Sequence, residues 1–119
     1  MAMGRALQAL DPHVGETLQE FLQVLEKAGL DRELLALCAA RAQQMIGAGT
    51  LAAPPQNNRE RVALAFAEQY VLDAHGVTDD LCRELNTHFS PPELAALTTG
   101  IATFEALART RVVLQGVAE

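Results

Sequence analysis

The sequence is poor in aromatic and basic residues. It has no tryptophan, one tyrosine and four phenylalanines, so the core must be built mainly from Leu, Ala and Val. Leu and Ala lose little side-chain freedom in a helix, and this composition favours helix over sheet. Nine Lys and Arg stand against fifteen Asp and Glu, giving a net charge of −6. The chain therefore lacks the basic face with which nucleic-acid-binding proteins neutralise phosphates, and we expect no nucleic-acid partner.

Long apolar runs and closely spaced cysteines are also missing. No run approaches the ~20 apolar residues that span a bilayer. The opening segment MAMGRALQAL lacks the apolar stretch of a secretory signal. Cys38 and Cys82 are the only cysteines, and their separation indicates no disulfide framework. We therefore expect a cytoplasmic protein that does not span a membrane.

The length and the apolar spacing predict one helical domain. A chain of 119 residues fits one domain, here residues 1–119, and can bury a core without disulfides or metals. No segment alternates with a period of two, whereas spacings of three and four recur throughout. The predicted fold is all-α, a compact bundle of about five helices. Helical periodicity marks five segments, at about 13–28, 32–46, 59–75, 79–88 and 91–115.

Local signals mark several helix ends. Asp31 and Thr78 stand where helix caps are expected, and Gly29 suits the position just after a helix. Ser90-Pro91-Pro92-Glu93 is the strongest signal, because it combines a capping serine, a proline in the first turn and a glutamate three residues after the serine. Gly100 within the last helix either costs about 1 kcal/mol relative to Ala or marks the close approach of another helix.

Four of the helical segments carry motifs in a recognisable order: RELLAL (32–37), ERVALAFAEQ (60–69), VTDDLCREL (77–85) and HFSPPELAALTTGIATFEALAR (88–109). Together they resemble the carboxymuconolactone decarboxylase and alkylhydroperoxidase D-like family, which includes peroxiredoxin-like antioxidant proteins. The resemblance covers residues 31–114, with residues 1–30 as an added N-terminal helix. It implies an alkylhydroperoxidase D-like bundle that assembles as a homo-oligomer: a trimer, dimer or hexamer.

The redox motif of that family is missing. In the redox branch a glutamate precedes a C-x-x-C pair and a histidine. The spacing of that motif, counted from Glu33, places the two cysteines on Met45 and Ala48 and the histidine on Ala52. A thioether and two methyl groups cannot replace two thiols and an imidazole, which together form a thiolate and move its proton. Residues 14–74 contain no histidine either, so the decarboxylase branch's histidine-bearing segment is also absent.

Three residues remain as candidate catalytic groups. Glu33 is either a surviving acid–base group or an acidic residue that favours a helix N-terminus. Cys38 is either a small core residue or a reactive thiol. Cys82 lies in the first turn of the fourth predicted helix. It is either a thiol that the helix dipole activates or a structural residue. Glu84 and His88 share a helix face, but no third ligand is indicated, so we expect no metal and no cofactor.

Two main functional hypotheses follow. The first is a degenerate member of the family without dithiol peroxidase activity, acting as an oligomeric binding or structural protein, with a small apolar ligand held between the second, third and fifth helices. The alternative is an active peroxidase- or decarboxylase-like enzyme with relocated groups, in which Glu33 works with Cys38 or Cys82. A small helical interaction module that resembles the family by chance is a third reading.

Overall fold

The computed structural model describes residues 12–47 and 53–118, and the regular structure of these residues is entirely helical. The helices are α1 (Pro12–Lys27), α2 (Arg32–Ile46), α3 (Asn58–Leu72), α4 (Asp79–His88) and α5 (Pro91–Ala118), with a 3₁₀ turn at Ala74–Gly76. The all-α prediction with five helices is confirmed over this part of the chain. Residues 1–11 of the predicted N-terminal unit lie outside it.

The predicted caps are present. Asp31 Oδ1 accepts hydrogen bonds from the backbone N–H groups of the second and third residues of α2, at 2.9 and 3.3 Å. Thr78 Oγ1 accepts one from the backbone of Leu81 at 3.2 Å. At the start of α5, Glu93 N–H donates to Ser90 Oγ at 3.3 Å, and Ser90 N–H donates to Glu93 Oε1 at 3.0 Å. Each cap satisfies backbone donors that the helix itself leaves unpaired.

Helix α3 ends three residues earlier than the sequence predicts, at Leu72. Asp73 leaves the helix with an extended backbone, and its carboxylate accepts a hydrogen bond from His75 N–H at 3.0 Å. The side-chain amide of Gln69 donates to the carbonyl oxygen of Asp73 at 2.8 Å. These two contacts support a separate 3₁₀ turn where the apolar spacing predicts continued α-helix.

The core lies between α2, α3 and α5, and α2 packs against both of the others. In α5 the apolar residues Leu97, Ile101 and Phe104 are buried. A Cβ on Gly100 would lie 2.8 Å from Leu35 Cδ1, closer than carbon atoms approach without a shift. Gly100 therefore marks a close crossing of α2 and α5, which is one of the two readings that the sequence left open.

Helix α1 packs against α5, which is the longest of the described helices. Gly29 follows α1 with a left-handed φ of 104°, as predicted, and its Cβ position lies 3.1 Å from Glu93 Cγ. The end of α1 therefore lies beside the start of α5.

The 28 residues of α5 extend about 42 Å, close to the longest dimension of the molecule, 43 Å. Within the described residues, no helix is long and apolar enough to cross a membrane.

Candidate functional site

Arg59 joins the starts of three helices. Its guanidinium lies 3.1 Å from Glu93 Oε2 at the start of α5 and 3.6 Å from Asp31 Oδ2, the cap of α2. Arg59 is itself in the first turn of α3, and its guanidinium carbon is 4.5 Å from the centroid of the Phe89 ring. We call these four residues the junction. Its single cation is balanced by two carboxylates and an aromatic face, so it has no unpaired positive charge to offer an anionic ligand.

A cleft of about 300 Å³ opens beside the junction, between the starts of α2 and α3. Its wall is partly apolar and partly polar, and it includes the short segment that leads into α3. The lining residues are Leu34, Leu37, Ala53 and Pro54 on the apolar side, and Asp31, Glu33, Gln56, Asn57, Arg59 and Glu60 on the polar side.

Most of the polar groups in the cleft already have partners. Glu60 accepts hydrogen bonds from the backbone of Gln56 at 3.1 Å and from the Asn57 side-chain amide at 3.2 Å. Asn57 Oδ1 in turn accepts from Glu60 N–H at 2.8 Å, which caps α3. The exposed carboxylate of Glu33 makes no hydrogen bond or ion pair with the described residues. It is therefore the carboxylate of the cleft whose charge is left to a ligand or to water.

The two candidate thiols have opposite environments. Cys38 is fully buried, and burial, with a smaller contribution from the negative charge of Glu60, raises the pKa of its thiol to about 12. Cys82 is exposed on α4, and both thiols are free. Glu33 and Cys38 are five residues apart on α2, which separates them by about 140° around the helix axis. Glu33 thus lines the cleft, neither cysteine does, and their catalytic roles stay predictions.

Met45, which stands at the first cysteine position of the missing redox motif, lies far from Glu33. Met45 is partly buried in the last turn of α2, twelve residues after Glu33 on one continuous helix. That separation is about 18 Å along the axis, too far for a direct proton transfer between the two positions. Ala48 and Ala52, the other positions of the motif, lie outside the described residues.

The expected apolar cavity between α2, α3 and α5 is filled by protein. Cys38, Ala39, Val62, Leu97 and Ile101 face this space and have no solvent-accessible surface. The cleft instead lies at the helix starts and has a mixed lining, because the capping residues gather there.

No metal site forms among the described residues, where no group of three or more His, Cys, Asp and Glu side chains could hold an ion. Glu84 pairs with Arg61 Nη2 at 3.4 Å.

The sequence identified Glu33, but it did not show which carboxylates Arg59 pairs with. Arg59 lies 34 residues before its partner Glu93, and nothing in the local pattern pairs them. Asn57 is a residue type that favours a helix cap, and it marks where α3 begins.

No family model, curated protein or solved structure matches this chain. The family resemblance therefore depends on the sequence motifs, and the function must be argued from the site.

Proposed function

We propose that this protein is a cytoplasmic, homo-oligomeric binding protein of alkylhydroperoxidase D-like ancestry, without dithiol peroxidase activity. Its ligand is a small molecule with an apolar body and a cationic group, held in the cleft beside Glu33. The observation that carries the proposal is the carboxylate of Glu33, which has no hydrogen-bond or ion-pair partner among the described residues. It lies next to an apolar wall, in a cleft whose lining includes neither thiol.

The state of the thiols supports the absence of peroxidase chemistry. A dithiol cycle needs a thiolate to attack the peroxide and a second thiol to resolve the product. With a pKa of about 12, Cys38 is almost entirely protonated near neutral pH. Its sulfur has no exposed surface, whereas Cys82 is exposed, so a disulfide between them would require the core to open.

The charges around the cleft support a cationic ligand. Arg59 is held by two carboxylates, and Glu60 is held by the Gln56 backbone and by Asn57. A ligand carboxylate would be repelled by the negative charge of Glu33, and Arg59, already paired with two carboxylates, would not offset that repulsion. The ammonium group of a cationic ligand would pair with Glu33, while the apolar part of the same ligand contacts Leu37. In small-molecule sites a few polar groups usually fix the orientation of the ligand, and apolar side chains bury most of its surface.

Amide chemical shifts in ¹H–¹⁵N NMR spectra test this proposal during titration with benzylammonium or benzoate. Benzylammonium is expected to shift the amides of Leu37, Gln56 and Asn57, and benzoate is expected to bind more weakly. Glu33→Gln should weaken benzylammonium binding about three-fold, as expected for one partly exposed charge pair.

Glu20→Gln is the matched control, because Glu20 is an exposed glutamate on α1, outside the cleft. It should leave the titration unchanged. Shifts confined to residues outside the cleft, or equal binding of the cation and the anion, would contradict the ligand assignment. Hydroperoxide turnover that is lost in Cys82→Ala would contradict the absence of peroxidase activity.

A further inference from the structure

One wall of the cleft is a short segment without regular structure. Residues 53–56 lead into α3, and Ala53, Pro54 and Gln56 line the cleft. We call residues 53–56 the proline wall, because Pro54 and Pro55 lie at its centre. All four residues are exposed, so burial against the bundle does little to hold the wall in place.

The two prolines make this wall stiff. The ring of each proline fixes its own φ angle, and each proline also restricts the residue before it to extended conformations. Ala53, Pro54 and Pro55 are therefore all restricted in their backbone conformation. Because a stiff segment moves as a unit, a contact that fixes it at one end also sets the direction of the rest.

Glu60 fixes the wall at the end that joins α3. Its Oε1 accepts a hydrogen bond from Gln56 N–H at 3.1 Å, and its Oε2 accepts one from the Asn57 side-chain amide at 3.2 Å. The backbone of the wall makes no other hydrogen bond with the described residues. Both carboxylate oxygens of Glu60 are thus used within the protein, and one of them holds the wall.

The start of α5 shows how this contact differs from an ordinary helix cap. There Glu93, three residues after the cap, accepts a hydrogen bond from the N–H of the capping residue Ser90 itself, at 3.0 Å. Glu60 also stands three residues after its cap, Asn57, but it accepts from Gln56, one residue before the cap. The bond at α5 closes the first turn of the helix, whereas the bond at α3 attaches the preceding segment to the helix.

We propose that Glu60 is the positioning residue of the cleft, which holds the proline wall where a ligand can contact both the wall and α2. This inference rests on the proposed function and assigns different roles to two glutamates of the same cleft. Glu33 supplies the charge that pairs with the ligand cation. Glu60 acts through Gln56, and that role needs a hydrogen-bond acceptor of the right length but not a negative charge.

Substitutions at position 60 distinguish an acceptor from a charge. Glu60→Ala removes the acceptor, so the wall occupies its binding position for only part of the time. The apparent dissociation constant rises in inverse proportion to that fraction, and we expect benzylammonium to bind about ten-fold more weakly in ¹H–¹⁵N NMR titrations. Glu60→Gln keeps an amide oxygen that can accept from Gln56 N–H, and it should bind within about two-fold of the wild type.

A third substitution keeps the charge and loses the reach. Glu60→Asp is one methylene shorter, so it should weaken benzylammonium binding as Glu60→Ala does, and it serves as the second variant if Glu60→Ala does not fold. Hydrogen exchange at the Gln56 amide reports the same contact without a ligand. Exchange should be faster in Glu60→Ala and Glu60→Asp than in the wild type, and close to the wild-type rate in Glu60→Gln.

Thr78→Ala is the matched control for the loss of a helix cap. Thr78 Oγ1 caps α4 by accepting from Leu81 N–H at 3.2 Å, and neither residue lines the cleft. This variant should lose stability as other cap deletions do, but its binding of benzylammonium should equal that of the wild type.

The outcomes separate this inference from the proposed function. A wild-type chain that does not bind benzylammonium overturns the proposed ligand, and the role of Glu60 with it. Wild-type binding that persists unchanged in Glu60→Ala overturns the role of Glu60 alone. Glu60→Gln that binds as weakly as Glu60→Ala, with Gln56 exchange at the wild-type rate, also overturns it, because the charge of Glu60 would then contact the ligand directly.

Discussion

The two halves of α5 are similarly rich in apolar residues but have opposite environments. In the first half Leu97 and Ile101 have no exposed surface, whereas in the second half Val113 is 63% exposed. The first half begins at the junction and crosses α2 closely, while α1, α2 and α3, at 16, 15 and 15 residues, are too short to cover all 28 residues of α5. Burial is thus decided by the length of the neighbouring helices as well as by the apolar character of the residues themselves.

The largest expected difference between a buried and an exposed position is in the reaction rates of the two thiols. Cys82 should react with a disulfide reagent at the rate of a free thiol, and Cys38 should react only through opening of the core, slower by several orders of magnitude. Thiol counting with time, with and without denaturant, measures both rates. Rapid reaction of both thiols, with a loss of two hydrogens in mass after hydroperoxide treatment, would mean that the two sulfurs meet and perform redox chemistry.

Shortening one apolar side chain in each half of α5 tests the comparison directly. Leu97→Ala removes buried methyl groups from a packed core and should lower the free energy of unfolding by about 3 kcal/mol. Val113→Ala should change it by less than about 0.5 kcal/mol, measured by urea titration at a concentration where the chain is monomeric. Similar losses of unfolding free energy for the two variants would show that Val113 is covered by other residues of the same chain.

Two arginines, Arg59 beside the start of α5 and Arg111 near its end, provide a smaller contrast. Arg59→Leu removes the cation of the junction and should lower the free energy of unfolding by about 1 to 2 kcal/mol, from two partly exposed ion pairs and one contact with an aromatic face. Arg111→Leu should have an effect below about 0.5 kcal/mol in the monomer. If the two variants lost the same free energy of unfolding in urea titrations, the junction would not be a source of stability.

The smallest expected effect is a pH dependence at the start of α5. A hydrogen bond from the Ser90 backbone, then one from the Ser90 hydroxyl and the charge of Arg59, hold the pKa of Glu93 below its usual range. A folded-state pKa below the unfolded one gives stability that is present above the unfolded value and is lost as the pH falls through the folded value. Urea titrations across the acid range should therefore show a shallower loss of stability in Glu93→Gln. An unchanged acid slope would exclude this contribution.

The helix starts could be predicted from sequence because their signals are local. Asp31, Thr78 and Ser90 each bond to backbone groups within three residues, so a short pattern contains the whole interaction. The end of α3 was missed because Gln69 and Asp73 favour the turn through a side-chain contact that apolar spacing does not reveal.

The candidate site was less accessible to sequence reasoning. Glu33 was identified by its place in a family motif, but its cleft depends on α3 and on the segment leading into it. Arg59 acquires its role from Asp31 and Glu93, which are distant in the chain. Whether a charged side chain is paired or available depends on such tertiary contacts, which the sequence alone does not show.

The crossing of α2 and α5 constrains how this chain can diverge. Leu35 occupies the space that any side chain at position 100 would need. A larger residue at position 100 therefore requires a smaller one at position 35, and relatives that share the fold should show linked changes at these two sites. Such a linked pair would identify related proteins even after their surface residues and their cysteines have changed beyond recognition.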